Sequence, residues 1–203
     1  MLALVACLGM QYGPLWWSSK HRKHHKHCDL EDDPHSWIRT SFWHSWFGWL
    51  HRRDQQQIDV EFLHPSMFVR DGATGKSAVA PELLLVDKLW FAPFVAIHLV
   101  LYYYVGQSAR DVLVFYTAPS LWIPPPILLF NVMFHPPTTT PTKQGCYALD
   151  TIADPLAVFF GEGHHEDHHV FPNRAHRPGP VDVSWWVLIQ PMRALGLIWE
   201  PHA

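Results

Sequence analysis

Cysteine, net charge and long unbroken apolar runs are all scarce in this sequence. Only Cys7, Cys28 and Cys146 occur among 203 residues. Their odd number and wide spacing predict neither a disulfide framework nor a cysteine-based zinc or redox motif, so we expect the polar part to lie in a reducing compartment. A net charge of −3 provides no basic surface for phosphate groups, and nucleic acid is therefore not an expected partner.

The chain is apolar for a soluble protein, yet too polar to consist mainly of bilayer spans. Hydrophobic residues make up 48% of the sequence and charged residues 16%, while the mean hydropathy is −0.05. We therefore expect an all-α, membrane-bound protein in which a few membrane segments carry a polar, histidine-rich cap. Trp, Tyr and Phe side chains, which are abundant here, suit the interface between a membrane and water.

Two apolar stretches predict one transmembrane hairpin over residues 89–130. The first stretch is 89–105 and the second is 111–130, and the five residues GQSAR between them suit a tight turn. Lysine and arginine are dense in residues 20–26, which places that flank on the cytoplasmic side of a membrane. The cap is therefore expected to be cytosolic.

Both apolar stretches contain residues that are unusual in a membrane span. The first contains Pro93 and His98, and the second contains Pro119 and the run Pro124-Pro125-Pro126. Three consecutive prolines remove three backbone donors, so we expect the second helix to kink or stop there. A pair of buried helices in a soluble protein is the alternative that composition leaves open.

The remaining segments are expected to be short helices and loops. Residues 2–17 suit a short or interfacial helix, and 18–36 suit a polar helix that Pro34 ends. Residues 51–80 are polar and are expected to form a loop over the cytosolic face. Residues 184–199 form an amphipathic stretch that either lies in the interface or packs on the core.

Histidine is over-represented, with sixteen residues, and six of them form two copies of one motif, HxxHH. These six are His21, His24 and His25 in the first box, and His165, His168 and His169 in the second. On a helix, positions i, i+3 and i+4 share one face, so each box presents three imidazoles together. Two such faces could bracket a pair of metal ions, and imidazole suits iron, zinc and copper. The first box alone could also be a basic surface run or an adventitious zinc site.

The surroundings of both boxes resemble one protein family. Residues 16–50, WWSSKHRKHHKHCDLEDDPHSWIRTSFWHSWFGWL, and 161–172, GEGHHEDHHVFP, are similar to two histidine regions of the membrane fatty acid desaturases. Residues 131–135, NVMFH, are similar to the NSxxH motif of the same family. The match is to the acyl-CoA, stearoyl-CoA type, Δ9 desaturases, and it extends over nearly the whole chain.

This resemblance implies the site residues. It implies metal ligands at His21, His24, His25, His135, His165, His168 and His169. Asn131 would hold a metal-bound water, and Trp17 would line the substrate tunnel. Glu166 and Asp167 replace two asparagines of the family, and their carboxylates could orient a ligating imidazole.

The resemblance also implies the chemistry. Two irons, for which zinc can substitute in vitro, would use O2 and two electrons to remove two hydrogens from a fatty-acyl chain. The product would carry a cis double bond, and cytochrome b5 or a ferredoxin would supply the electrons to an acyl-CoA or acyl-lipid desaturase. The expected location is the endoplasmic reticulum membrane with cytosolic His boxes, or a bacterial or plastid membrane. Hydroxylation on the same scaffold and an inactive pseudoenzyme are the competing functions.

One element of the family pattern has no counterpart before His21, namely an earlier HxxxxH box that supplies two further ligands. We therefore expect residues 1–203 to be a single, N-terminally incomplete desaturase domain. The sequence is equally compatible with a divergent homologue of weak or absent activity. It is also compatible with other histidines completing the site, and the unassigned ones are His27, His35, His44 and His98.

Overall fold

The computed structural model describes residues 2–137, 141, 145–159, 161–177 and 182–198. The described part is mostly helical, as expected. The chain forms two compact units. Unit 1 contains Met1–His24 and Phe47–Pro126, and unit 2 contains His25–Trp46 and Ile127–Ala203.

Nine helices occur in the described residues, several of them only one or two turns long. They are α1 (Leu2–Ala6), α2 (Pro14–His27), α3 (Phe42–Trp46), α4 (Pro81–Lys88), α5 (Ala92–Tyr104), α6 (Ala109–Met133), α7 (Pro155–Phe159), α8 (His165–Val170) and α9, which joins a π-helical Ser184–Ile189 to Gln190–Ala194. Short 3-10 turns lie at Cys7–Gly9, Gly48–His51, Arg53–Gln55, Val60–Phe62 and Pro65–Met67.

A small β-hairpin lies within residues 51–80, which were expected to form a loop. Strand β1 (Phe68–Arg70) pairs antiparallel with β2 (Ser77–Val79). The Asp71 carboxylate closes the connecting turn, because its Oδ1 accepts hydrogen bonds from the N–H groups of the second and third residues after it, at 2.8 and 2.6 Å. Gly75 supplies the left-handed conformation, with φ of 69°. The all-α prediction therefore fails here, because local turn chemistry closes a hairpin within a polar stretch.

In unit 1, a carboxylate from α4 caps the N-terminus of α2. Asp87 Oδ1 accepts hydrogen bonds from the N–H groups of Leu15 and Trp16, at 2.9 and 3.0 Å, and these donors have no partner within the helix. Gly13 lies directly against Asp87, where a Cβ would collide with the backbone of α4. The Trp16 ring stacks on that of Trp49 at a centroid distance of 5.3 Å. This cap fixes the start of the helix that carries the first histidine box.

A buried ion pair holds the middle of α2 within unit 1. The Lys20 ammonium is 2.9 Å from Asp59 Oδ2, and Lys23 approaches the same oxygen at 3.4 Å. Lys20 is only 1% exposed. A buried ammonium needs a charged partner, so Asp59 ties the loop before the β-hairpin to this helix.

Helix α6 is 25 residues long and apolar enough to cross a membrane, and the pair α4 and α5, bent by 63°, would qualify as a second span if counted as one. The break expected at Pro124–Pro126 is confined to Ile123, after which the helix resumes. The prolines occupy the first turn of the resumed segment Pro124–Met133, where the missing N–H groups need no partner. The triple proline therefore interrupts the helix without ending it.

The surfaces of α5 and α6 do not resemble those of a soluble core. Phe115 and Trp122 are each 78% exposed, and Tyr104 is 86% exposed. Large apolar side chains displayed along a whole helix indicate contact with lipid or another apolar partner, and they disfavour the buried-pair alternative. His98 has polar partners between these helices, because its Nδ1 is 2.9 Å from the Phe94 carbonyl and its Nε2 contacts the Thr117 hydroxyl.

In unit 2, a disulfide joins residues that are far apart in sequence. Cys28 and Cys146 are bonded across a separation of 118 residues, and both are buried beside Ala148. The expectation of no disulfide was wrong for this pair, because the fold brings together two cysteines whose spacing carries no motif. Cys7 is free and buried.

Candidate metal centre

Helices present both histidine boxes, as their spacing predicts. The first box lies in the last turns of α2, so His21, His24 and His25 follow one another along one face of that helix. The second box is most of α8. Asp150 Oδ1 accepts hydrogen bonds from the N–H groups of Glu166 and Asp167, at 2.8 and 3.3 Å, and thereby caps this short helix.

In unit 2, five imidazoles lie in mutual contact. The Nε2 atoms of His25 and His168 are 3.0 Å apart, and those of His135 and His165 are also 3.0 Å apart. His169 lies between the two pairs, because its ring centroid is 4.2 Å from that of His25 and 4.8 Å from that of His135. The cluster therefore has two poles, each defined by two facing ring nitrogens.

The donor set of this cluster fits metal ions. Metal–imidazole bonds of about 2.0–2.1 Å place neighbouring ligand nitrogens roughly 2.9–3.4 Å apart, depending on coordination geometry. Both Nε2 pairs, at 3.0 Å, fall within this range. Imidazole suits iron, zinc and copper, so His25 with His168, and His135 with His165, could each contribute two ligands to one ion.

Two carboxylates lie within hydrogen-bond distance of the Nδ1 atoms of two of these imidazoles. Asp29 Oδ2 is 2.9 Å from His135 Nδ1, and Glu162 Oε2 is 3.0 Å from His165 Nδ1. An Nδ1–H donated to a carboxylate leaves the Nε2 lone pair available for a metal. Burial lowers the pKa of His135 below its usual value, while the hydrogen bond to Asp29 opposes that shift. A neutral, ligating imidazole is therefore the favoured form of His135.

An arginine approaches the third imidazole. Arg177 Nη2 is 2.8 Å from His168 Nδ1, and guanidinium can only donate. In this arrangement the proton of a neutral His168 ring is on Nε2, so ligation of an ion by His168 Nε2 requires Arg177 to leave Nδ1. Asp167 Oδ1 pairs with Arg174 at 3.0 Å, and its Oδ2 pairs with Arg177 at 3.1 Å. Asp167 thus reaches an imidazole only through Arg177.

Asp29 has several hydrogen-bond partners around the cluster. It has a φ of 58°, a left-handed conformation that aspartate tolerates better than most residues. Its Oδ2 accepts a hydrogen bond from the Tyr147 N–H at 2.9 Å, and its Oδ1 accepts one from the Ser36 hydroxyl at 2.9 Å. Its own N–H donates to Asp33 Oδ2 at 2.8 Å. Helix α2 ends at His27, earlier than Pro34 predicts, because these contacts turn the chain at Asp29.

The sequence matches the model of the fatty acid desaturase family over residues 1–189. The chain belongs to this family. It is 32% identical to the sn-1 stearoyl-lipid 9-desaturase of Anabaena variabilis over 97% of the chain and 68% of that protein. It is 28% identical to the icosanoyl-CoA 5-desaturase of Limnanthes douglasii, over 96% of the chain and 52% of that protein. No solved structure matches.

The name of a third relative describes a different reaction. The chain is 24% identical to the hex-5-enoyl-[acyl-carrier protein] acetylenase of Moorena producens, over 98% of the chain and 64% of that protein. The chain thus spans about half to two thirds of the length of these desaturase-family relatives. The family is one of oxidoreductases that act on fatty-acyl groups, and it is normally associated with membranes.

Several residues implied by the desaturase resemblance belong to unit 1. His21 and His24 have ring centroids 6.3 Å apart, and the Trp17 ring is nearly parallel to that of His21 at 6.3 Å. Trp17 lines a largely apolar cavity of about 300 Å³ whose other walls include Tyr12 and Pro14. Trp17 thus lines a cavity near the first box, and its place in a substrate tunnel stays a prediction.

The remaining predicted residues are placed as follows. Asn131 lies half-buried in α6, four residues before His135. Glu166 donates its backbone N–H to Asp150 and so takes part in the cap of α8. The carboxylates of Asp29 and Glu162, which do reach imidazoles, were not predicted. Glu162 precedes His165 by three residues, which is the only signal that the sequence offered for it.

The four unassigned histidines have varied surroundings. His27 Nδ1 is 3.9 Å from the exposed Asp32, and His44 is half-buried on α3. His35 is buried, and burial lowers its pKa below 6.5 while Asp33 opposes that shift. His98 contacts Thr117 within unit 1. Whether any of these four ligates a metal stays a prediction.

Proposed function

We propose that this chain carries out O2-dependent desaturation of a fatty-acyl chain at a di-iron centre, introducing a cis double bond of the Δ9 type. The observation that carries the proposal is the five-imidazole cluster, whose two Nε2 pairs at 3.0 Å offer two poles for two ions. Membership of the desaturase family supports the reaction class. The name of the Anabaena variabilis relative, a stearoyl-lipid 9-desaturase, supports the position.

The proposed ligand set contains seven histidines and one water-bound asparagine. It comprises His21, His24, His25, His135, His165, His168, His169 and, through water, Asn131. Contacts within unit 2 support five of these histidines. His21 and His24 stay predictions from their helical spacing and from the family motif.

Two irons bound there would supply the oxidation of –CH2–CH2– to –CH=CH–, with O2 and two electrons and two protons yielding two waters. The residues of this chain hold and orient the imidazoles for that role. Asp29 and Glu162 each accept an Nδ1–H and so direct an Nε2 lone pair inwards. The capped helix α8 fixes His165 and His169 on a rigid turn.

The substrate is proposed to be a fatty acyl-CoA or acyl-lipid whose chain lies along Trp17. The cavity of about 300 Å³ beside Trp17 is lined mainly by apolar atoms, and it would exclude water from the chain. Arg22 and Lys26 on the same helix are proposed to meet the anionic carrier, whereas Lys23 already pairs with Asp59. Cytochrome b5 or a ferredoxin is the proposed electron donor.

Membrane location is part of the same proposal. Helices α5 and α6 are proposed to form the transmembrane hairpin, because they contact each other through His98 and Thr117 and display apolar side chains outwards. The histidine boxes would face the cytosol at the endoplasmic reticulum, or the equivalent face of a bacterial or plastid membrane. Loss of the chain from membranes on carbonate washing would contradict the hairpin.

Metal content and product analysis test the function together. The chain purified in mild detergent should bind two irons and, with O2 and reduced ferredoxin or cytochrome b5, convert a saturated acyl substrate to a monounsaturated one. His165→Ala should lose iron and turnover, whereas His51→Ala, an exposed histidine of unit 1, should change neither. A hydroxy-acyl product would indicate the hydroxylase instead. One tightly bound metal or none would contradict the di-iron proposal.

A further inference from the structure

Two sulfur atoms lie beside the imidazole cluster, on the side of the rings that faces away from the paired Nε2 atoms. Cys28 Sγ is 3.6 Å from His135 Nδ1, and Cys146 Sγ is 4.0 Å from the same nitrogen. Asp29 Oδ2 is 3.6 Å from Cys28 Sγ and 2.9 Å from His135 Nδ1. All four side chains are buried within unit 2. The second nitrogen of His135 therefore faces a second set of metal-type donors.

These separations are those of a tetrahedral site. Bonds of about 2.3 Å to sulfur and 2.0–2.1 Å to nitrogen put neighbouring S and N ligands roughly 3.6 Å apart in a tetrahedron. The two S···N separations, 3.6 and 4.0 Å, are close to that value. Cys28 and Cys146 are joined in a disulfide, so the sulfur–sulfur edge of such a tetrahedron is absent. Cleavage of that bond and release of the His135 Nδ1 lone pair would complete the donor set.

We propose that the dithiol form of this cluster binds one zinc-type divalent cation through Cys28, Cys146, His135 Nδ1 and Asp29, and that the disulfide closes the site. Two thiolates with one imidazole and one carboxylate are donors that zinc accepts in a tetrahedral arrangement. The site shares His135 with the proposed iron centre but takes its Nδ1, whereas the iron centre would use its Nε2; Cys146 Sγ also lies 3.5 Å from His169 Nδ1.

Opening of the site is a two-electron exchange with an external dithiol of the thioredoxin class. The dithiol attacks the Cys28–Cys146 bond, its own two sulfurs become a disulfide, and Cys28 and Cys146 each gain a proton. Zinc then displaces those two protons to solvent as it binds the thiolates. The His135 proton moves from Nδ1 to Nε2, which frees the Nδ1 lone pair for the ion, and Asp29 then contacts the ion instead of that proton.

Cobalt(II) provides a direct spectroscopic test in the full chain. The detergent-purified protein is reduced with a non-chelating phosphine, stripped of metal and titrated with cobalt. We expect one equivalent to produce the near-ultraviolet thiolate-to-cobalt charge-transfer absorption, which binding to histidines alone does not give. The disulfide form should not produce that absorption. Zinc should bleach it stoichiometrically.

Matched variants identify the ligands. Cys28→Ser and Cys146→Ser should each remove about half of the charge-transfer intensity and weaken cobalt binding by more than about tenfold, since outer partners alone are worth 10–100-fold. Cys7→Ser, which removes the free buried cysteine of unit 1, should leave the spectrum unchanged. Charge-transfer absorption that persists at full intensity in both Ser variants would overturn the proposal.

A second measurement uses the wild-type protein alone, so it does not depend on whether a variant folds. In the reduced wild-type protein, zinc should slow maleimide alkylation of Cys28 and Cys146 but not of Cys7. Absence of both the protection and the cobalt absorption would show that the pair is a structural disulfide only. Failure of the iron proposal is distinguishable, because the thiolate absorption requires neither iron nor turnover.

Discussion

Removal of the Asp29 carboxylate tests how much its hydrogen bonds stabilise unit 2. Asp29 is 1% exposed, and its two oxygens accept hydrogen bonds from His135, Tyr147 and Ser36, each at 2.9 Å. In Asp29→Ala these three donors lose their acceptor in a buried place. A buried donor without a partner costs about 1–3 kcal/mol, and we therefore expect a loss of roughly 3–6 kcal/mol in the free energy of unfolding.

The isosteric change separates charge from shape. In Asp29→Asn one side-chain oxygen can still accept from His135 and Tyr147, while the amide group donates to Ser36. The loss should then be about 1–2 kcal/mol, because hydrogen bonds to a charged acceptor are worth more than neutral ones. Iron or cobalt affinity at the histidine centre should fall by about 10–100-fold, because a neutral amide oxygen raises the ligand basicity of His135 less than a carboxylate does.

Unfolding in mild detergent and metal titration measure both effects. Asp32→Ala is the matched control, because Asp32 lies three residues away but is 74% exposed and as far as 3.9 Å from its partner His27. This control should stay within about 0.5 kcal/mol of the wild-type protein. If Asp29→Ala unfolds like the control, or if Asp29→Asn binds metal with wild-type affinity, Asp29 does not organise the cluster.

Three further predictions concern unit 1 and the pH dependence. Gly13→Ala should destabilise the protein by more than about 2 kcal/mol because its Cβ has no room against α4, whereas Gly9→Ala, in open space, should not; thermal unfolding compares them. Asp59→Ala should cost about 3–5 kcal/mol in denaturant titration by leaving Lys20 as a buried unpaired charge. The pKa of His35 is lowered from 6.5 in the folded state, so only the unfolded chain takes up its proton as pH falls below about 6.5, and stability should decrease there; His35→Gln should reduce that slope.

Local spacing accounts for what the sequence revealed about the centre. HxxHH places three imidazoles on one helix face whatever the rest of the chain does, and both boxes are helical in the structure. Asp29 and Glu162 could not be ranked above Glu166 and Asp167, because adjacency in sequence says nothing about which carboxylate reaches a ring. The pairing of Cys28 with Cys146, 118 residues apart, is a product of tertiary structure alone.

The two long apolar helices were easier to predict than their limits. The predicted stretches 89–105 and 111–130 differ by only a few residues from α5 and α6, since apolar runs dominate the local signal. The helix was expected to kink or stop at the triple proline; it is interrupted at Ile123 and resumes, because prolines in a first turn remove only N–H groups that need no partner. The β-hairpin was missed because its strands are three residues long.

His135 links the proposed iron centre to the proposed thiolate site, and this link makes a last prediction. A neutral imidazole has one proton and one ring lone pair. In the disulfide form the proton on Nδ1 points to Asp29, and the lone pair on Nε2 faces His165. Zinc at Nδ1 would take the lone pair there and leave the proton on Nε2, where it blocks iron.

Zinc added to the reduced protein should therefore release iron from the pole that contains His135, while zinc added to the disulfide form should not. Iron content after gel filtration measures the release, and Cys28→Ser provides the control in which reduction no longer opens a two-thiolate site. Equal iron retention in the reduced and disulfide proteins would show that the two faces of His135 act independently. Release from both forms would instead mean that zinc competes directly for the Nε2 atoms, as its affinity for imidazole also allows.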